Sequence, residues 1–281
     1  GHTSSWRGTQ LYQSKDDGVT YSVLANGTLL TASAFGRTTT ALGNFSSVEG
    51  NEIFDESNTV RVTAPGLTLS SYTRAQFFNG TAVPYLIGDE IIYALTATLV
   101  SAGTYDLTSL LRGRKGTESY MTGHSASERF VVLNDNLRSI YQTFSEVDIE
   151  LDYKAVSVGS TVAATANRKF INTAQRKRPL APWHLKAGRL NAANDIILEC
   201  TRRTRYENPW RDGADAPLGE TIEQYRWDIY NGSAIVRTVN TTVSTYTYTA
   251  VDQTTDFGGV QTSIKYAVAQ ISSEYGLGYA T

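Results

Sequence analysis

The segment richest in chemical potential is Leu110-Leu111-Arg112-Gly113-Arg114-Lys115-Gly116-Thr117-Glu118. Two glycines bracket two cations, so the backbone can turn tightly and project positive charge. A phosphate cradle is conceivable, but the spacing is not Gly-x-x-x-x-Gly-Lys-Ser/Thr and no strand-to-helix pattern follows. The run therefore reads as a tight basic hairpin tip or subunit contact, with Arg112, Arg114 and Lys115 as the contact residues. A second candidate is Tyr206, Trp210 and Arg211 in the stretch TRYENPWRDGADAPLGE. Exposed aromatics beside arginine are the composition of binding hot spots, and covering the open end of a β-sandwich is the competing role for Trp210.

Acid–base and metal chemistry fare less well. His124, Glu118 and Glu128 have suitable residue types, but a zinc site needs three or four ligands at recognisable spacing. The chain has only His2, His124 and His184, far apart. His124 is read as a loop histidine, and no metal or cofactor is expected. Glu90 with Glu118, or Asp89 with Glu128, could stand at the ~5–10 Å separation of glycosidase carboxylates. Any 27 acids generate such pairs. No Gly-x-Ser-x-Gly elbow is present, so no catalytic residue is assigned. Ser14-Lys15-Asp16-Asp17-Gly18-Val19-Thr20-Tyr21 has the Asp-box pattern. Its logic is a folded turn, with Asp16 accepting backbone N–H groups and Gly18 supplying positive φ. One copy does not make a propeller.

The elements that must position these residues are strands. Apolar and polar residues alternate over Glu90–Val100, Ser127–Asn134 and Asp148–Val158, the period of half-buried β-strands. Turn signals punctuate them, among them Asn26-Gly27, Asn79-Gly80 and Asn231-Gly232. These Asn-Gly pairs open three of five Asn-X-Ser/Thr sequons, and the tight-turn reading of the pair comes first. The best helical stretch, Asn136 to Phe144, is short. Twenty-five basic residues against 27 acidic ones give a net charge of -2, which implies no pull toward nucleic acid or anionic membrane. No apolar run reaches the ~18 residues of a membrane span. The single cysteine, Cys200, excludes an intrachain disulfide framework.

A break is expected near Thr173 to Pro182, where Arg176-Lys177-Arg178 meets two prolines. Beyond it the pattern suits a seven-strand sandwich. Ile196, Leu198 and Cys200 share one strand face, as do Tyr225, Trp227 and Ile229. Later strands are expected over Thr245–Val251 and Ser263–Ile271, the latter with Ile264, Tyr266 and Val268 inward. The expectation is two all-β domains, 1–175 β-rich and 176–281 a fibronectin type III-like β-sandwich.

Several of these runs together resemble the C-terminal part of the large tail-tip or baseplate-hub proteins of siphophages and gene transfer agents. They are Leu86 to Ile92, Gly103 to Leu107, Leu110 to Glu118, His124, and Glu128-Arg129-Phe130-Val131. Arg202 to Arg205, Trp210-Arg211-Asp212, Pro217 to Glu220, Glu223-Gln224-Tyr225, Tyr246-Thr247-Tyr248 and Val268-Ala269-Gln270 extend the resemblance. It runs from about Trp6 to Tyr279, and Leu110 to Glu118 is its most specific part. It implies a non-enzymatic virion protein of the phage tail, acting in assembly and host attachment. The implied partners are other tail proteins, fibres and hub subunits, and a host surface glycan, with the full-length protein a homotrimer. It carries over no catalytic residue. The alternatives are a carbohydrate-binding receptor module and a cell-wall or capsule glycoside hydrolase.

Overall fold

The computed structural model describes residues 6–45, 54–206 and 217–281. It divides into two compact units, residues 1–173 and 174–281. The first opens with the hairpin of β1 (Thr9–Ser14) and β2 (Ser22–Leu29). Its connection is the Asp-box turn: Asp16 accepts the Thr20 N–H at 2.8 Å and the Thr20 hydroxyl at 2.6 Å. The Ser14 hydroxyl donates to Asp16 at 2.6 Å and accepts the Gly18 N–H at 2.9 Å. These bonds, first those of the Ser14 and Thr20 side chains, hold the Asp16 carboxyl down to about 2.

Six strands follow: β3 (Phe35–Thr38), β4 (Val60–Thr63), β5 (Tyr85–Ile87), β6 (Glu90–Ser101), β7 (Thr104–Leu111) and β8 (Arg129–Val132). They close into a barrel in the order β3-β4-β7-β6-β5-β8. Alternation places Val60, Val62, Ile87, Ile92, Leu107 and Phe130 in its filled interior, each at 0% exposure. Two more strands, β9 (Glu150–Ser157) and β10 (Arg168–Ile171), join the first hairpin in a sheet ordered β10-β9-β1-β2.

The second unit holds β11 (Trp183–Arg189), β12 (Ile196–Thr201), β13 (Tyr225–Asn231), β14 (Ala234–Thr241), β15 (Thr245–Tyr248), β16 (Lys265–Ser272) and β17 (Gly276–Ala280). A three-stranded sheet, β11-β12-β15, and a four-stranded sheet, β14-β13-β16-β17, share one core. Ile196, Leu198, Cys200 and Tyr248 supply one side of it, and Tyr225, Trp227, Ile229 and Val268 the other. Strands one, two and five in one sheet against four, three, six and seven in the other make a fibronectin type III-like sandwich.

Three local expectations change. Residues 136–143 form no helix, and only a single 3-10 turn, Phe144–Glu146, follows them. Helices stand instead at α1 (Arg74–Phe78) and α2 (Ala250–Phe257). Both are capped at their starts: Thr73 with Gln76 forms a capping box, while Thr249 accepts the Asp252 N–H and Gly258 ends α2 at φ 78°. The capping box of the expected stretch, Thr143 with Glu146, stands at its far end and opens only the 3-10 turn. The strand expected over Thr245–Val251 accordingly stops at Tyr248. Asn26-Gly27 is not a hairpin turn but part of β2. Pairing jumps from Tyr12↔Val23 to Gln10↔Thr28, so Leu24 to Gly27 bulge opposite Leu11. A Cβ on Gly27 would lie 2.8 Å from the Leu11 Cβ, which explains the glycine.

Trp227 is fully buried between the two sheets, and its indole N–H donates to the Thr241 hydroxyl at 3.0 Å. Trp227→Ala is expected to destabilise the second unit by about 3–5 kcal/mol. Urea denaturation followed by circular dichroism measures this. A loss below about 1 kcal/mol would mean that the indole does not fill the space between the sheets.

Candidate functional site

Among the described residues, a cluster of paired charged side chains lies at one end of the barrel, where β6 begins and β7 ends. Arg112, immediately after β7, has a side chain with 0% exposure. Its Nε donates to Glu90 Oε1 at 2.9 Å, and its Nη2 donates to Glu90 Oε2 at 3.0 Å and to the Met121 carbonyl at 3.1 Å. Nη1 donates to Asp55 Oδ2 at 2.9 Å and to the Gly43 carbonyl at 3.0 Å. All five N–H donors of the guanidinium are thereby engaged. Asp55 is placed by paired backbone bonds with Leu110, 2.7 and 3.0 Å. Its other carboxylate bonds come from Ser57 and Asn58.

His124 completes the network. Its Nε2 lies 2.9 Å from Glu90 Oε2 and its Nδ1 2.7 Å from Glu128 Oε2, with the ring 4% exposed. Both ring nitrogens face carboxylates, which suits the doubly protonated imidazolium. The bond to Glu90 raises His124 above 6.5, burial opposes it, and the bond to Glu128 adds to it. Burial pushes Glu128 up, but the His124 and Ser125 bonds outweigh it and leave the carboxyl below 4.5. Asp55 is likewise lowered against burial, by Asn58, Ser57 and Arg112.

This geometry corrects the reading of Arg112 as a contact residue. Its charge is spent inside the fold, because Glu90 and Asp55 draw it inward. Arg114 and Lys115 are exposed, on a turn in which Lys115 has φ 58°. His124 lies in a loop, as expected, but its ring is buried between Glu90 and Glu128. Asp89 stands apart, 69% exposed, 3.4 Å from Arg129. Asp55 went unnoticed in the sequence. Its only local sign is Asp-x-Ser-Asn, the donors of a side-chain-to-backbone turn.

In the second unit, Tyr206 is 53% exposed. The Arg205 guanidinium lies 5.4 Å from its ring centre and 5.4 Å from that of Tyr275, and it pairs with Glu220. Trp210 and Arg211 lie outside the described residues. In the first unit a groove of about 690 Å³ is lined by Trp6, Leu29, Phe35, Arg129 and Leu137. Among the described residues, no three His, Cys, Asp or Glu side chains are grouped to hold a metal ion. No helix among them is long and apolar enough to cross a membrane.

The Glu90 and Asp55 carboxylates of the network are enclosed and each accepts several hydrogen bonds, while Glu128 stays partly exposed. What the network can do is hold. It ties the connection between β7 and β8 to the barrel mouth and to the loops at 43 and 55.

Residues 33–131 match the family model described as Rcc01698-like, C-terminal, a span that coincides with the barrel. No curated protein sequence matches the chain. Domains d3–d4 of the rat CD45 extracellular region are 18% identical, with 53% of this chain and 69% of that one covered and a TM-score of 0.26. A cytokine receptor complex is 12% identical, with 79% and 87% covered and a TM-score of 0.23. The sandwich assignment rests on its own strand order.

Arg112→Ala leaves buried carboxylates without their counter-charge and is expected to cost about 3–5 kcal/mol. Gly113 has φ 59°, and an added Cβ would lie 2.9 Å from the Glu118 Cα, so Gly113→Ala should cost about 1 kcal/mol or more. Arg114→Ala should change stability by under about 0.5 kcal/mol. Urea midpoints of the three variants test this order, and Arg114 ranking first would reverse the assignment.

A pH dependence follows from the same groups. His124 is raised, so its contribution to stability is complete below its ordinary 6.5 and lost as pH rises through the folded value. Glu128 is lowered, so its contribution is complete above its ordinary 4.5 and lost as pH falls through the folded value. The barrel should be most stable between the two. Urea midpoints should fall on the alkaline side of this window, and His124→Gln should flatten that fall. A wild-type profile unchanged by the substitution would exclude the imidazolium.

Proposed function

We propose that the chain is a non-enzymatic structural part of a phage tail tip or baseplate hub, acting in tail assembly and host-surface attachment within the virion. The observation that carries this reading is the placement of the most specific run of the resemblance. Leu110 to Glu118, with His124 and Glu128, lies in the segment matched by the family model, and Arg112, His124 and Glu128 are consumed in pinning a barrel mouth while Arg114 and Lys115 stay exposed. Residues spent in this way support a scaffold rather than a catalyst. Full-length subunits would gather as a homotrimer around the tail axis and meet fibres and other hub proteins, with no role for nucleic acid or a membrane span.

One observation favours glycan recognition as a second reading. Tyr206 offers an exposed ring braced by Arg205, the aromatic-plus-arginine composition of a binding surface. Trp210 and Arg211 follow Tyr206 closely in the sequence.

Antibodies to this chain should label the tail tip of particles produced by the genome that encodes it, and disrupting the gene should yield particles that fail to adsorb to the host. Purified chain incubated with host peptidoglycan or capsule should release no reducing ends above buffer. Particles free of the chain would overturn the tail reading. Sustained release, abolished by a single Asp or Glu substitution, would make it a hydrolase.

A further inference from the structure

The first unit's four-stranded sheet ends in β10, which pairs with β9 through Arg168↔Tyr153, Lys169↔Asp152, Phe170↔Leu151 and Ile171↔Glu150. Among the described residues β10 pairs with no other strand, so its outer row of N–H and C=O groups faces outward. All four of its residues are exposed, Phe170 at 60% and Ile171 at 44%. Exposed edges are normally blunted by charge. Here Lys169 is turned away into pairs with Asp17 and Glu150, both at 2.8 Å.

Over the sheet face that reaches this edge lies an open groove of about 420 Å³, lined by Leu11 of β1, Tyr153 of β9, Arg168 and Phe170 of β10, and Ile140. Arg168 and Phe170 are two residues apart and share the face that bounds it. The Tyr153 hydroxyl accepts from Gln13 at 3.0 Å and from Gln142 at 2.6 Å, so these polar groups are engaged. Arg168 differs, since it has no ion-pair or hydrogen-bond partner among the described residues.

We propose that β10 and its groove form a docking site for an extended peptide segment of another protein. The segment would add a fifth strand to the sheet and face the groove with an apolar side chain and, two residues away, a carboxylate. Main-chain pairing with β10 supplies the alignment, and pockets for alternate side chains supply selectivity. The apolar residue packs on Phe170 and Ile140, and the carboxylate meets Arg168. A second copy of this chain pairing through the same edge is the weaker fit. Arg168-Lys169-Phe170-Ile171 contains no acid to offer the partner's arginine. The inference does not depend on the tail reading, because it uses only this edge and its groove.

The probe is the synthetic peptide Val-Thr-Glu-Thr-Val-Thr-Glu-Thr-Val, which when extended places Val and Glu on one face and Thr on the other. Its counterpart carries Lys in place of Glu. Binding to the whole chain is read by calorimetry, with sedimentation velocity in parallel. The Glu peptide should bind, weaken by about tenfold or more on Arg168→Glu, and weaken likewise on Phe170→Thr. The Lys peptide should bind only the Arg168→Glu chain. Both substituted side chains are exposed, and unchanged melting temperatures confirm that the variants fold. Binding of neither peptide, or binding indifferent to both substitutions, overturns the proposal. Self-association abolished by Phe170→Thr would assign the edge to a second copy and overturn it equally.

Discussion

A positive charge enclosed in protein must be met by counter-charge and by acceptors for every donor, or the fold loses several kcal/mol. Arg112 is such a charge, and the chain answers it from segments far apart in sequence: Gly43, Asp55, Glu90 and Met121. Each is then fixed relative to the others, because moving any one strands a donor. This explains how the long connection from β7 to β8, which holds only one 3-10 turn at Glu118–Tyr120, can still be anchored. His124 and Glu128 extend the network to the start of β8, so the ion pairs span the connection that leads into the closing strand.

The strands were legible where one face is buried and the other wet. Leu198, Tyr225, Trp227 and Val268 stand where alternation puts them, and Gly232 turns β13 into β14 with φ 64°. The Asp-box turn was equally open to reading, because its donors and acceptors lie within seven residues. The ion network was not. Arg112 is 57 residues from Asp55 and 22 from Glu90, and no periodicity links them. Arginine is rarely enclosed unless paired, so composition places it outside until the partners are known. Short helices escaped for another reason: α1 depends on a cap at Thr73, not on an apolar stripe.

The most distinctive run of the sequence thus divides by a single glycine. On one side, Arg112 is withdrawn into the fold. On the other, Arg114 and Lys115 remain in solvent. Distinctive residues need not be contact residues, and on the proposed reading recognition falls to surfaces whose sequence is unremarkable. The exposed ring of Tyr206 and the rim around Phe170 are both of this kind.

The bulge in β2 has a consequence for the sheet's borders. An open sheet has two ends at which strands can be added, and a flat sheet free at both could template end-to-end fibres. In this chain, β2 opposes four residues, Leu24 to Gly27, to Leu11 alone, which kinks that border and breaks its ladder. The six-stranded barrel, being closed, has no border to offer. The two borders of the first unit's open sheet therefore differ in regularity. A strand added at β10 would meet a regular ladder, whereas the bulge interrupts the ladder between β2 and β1.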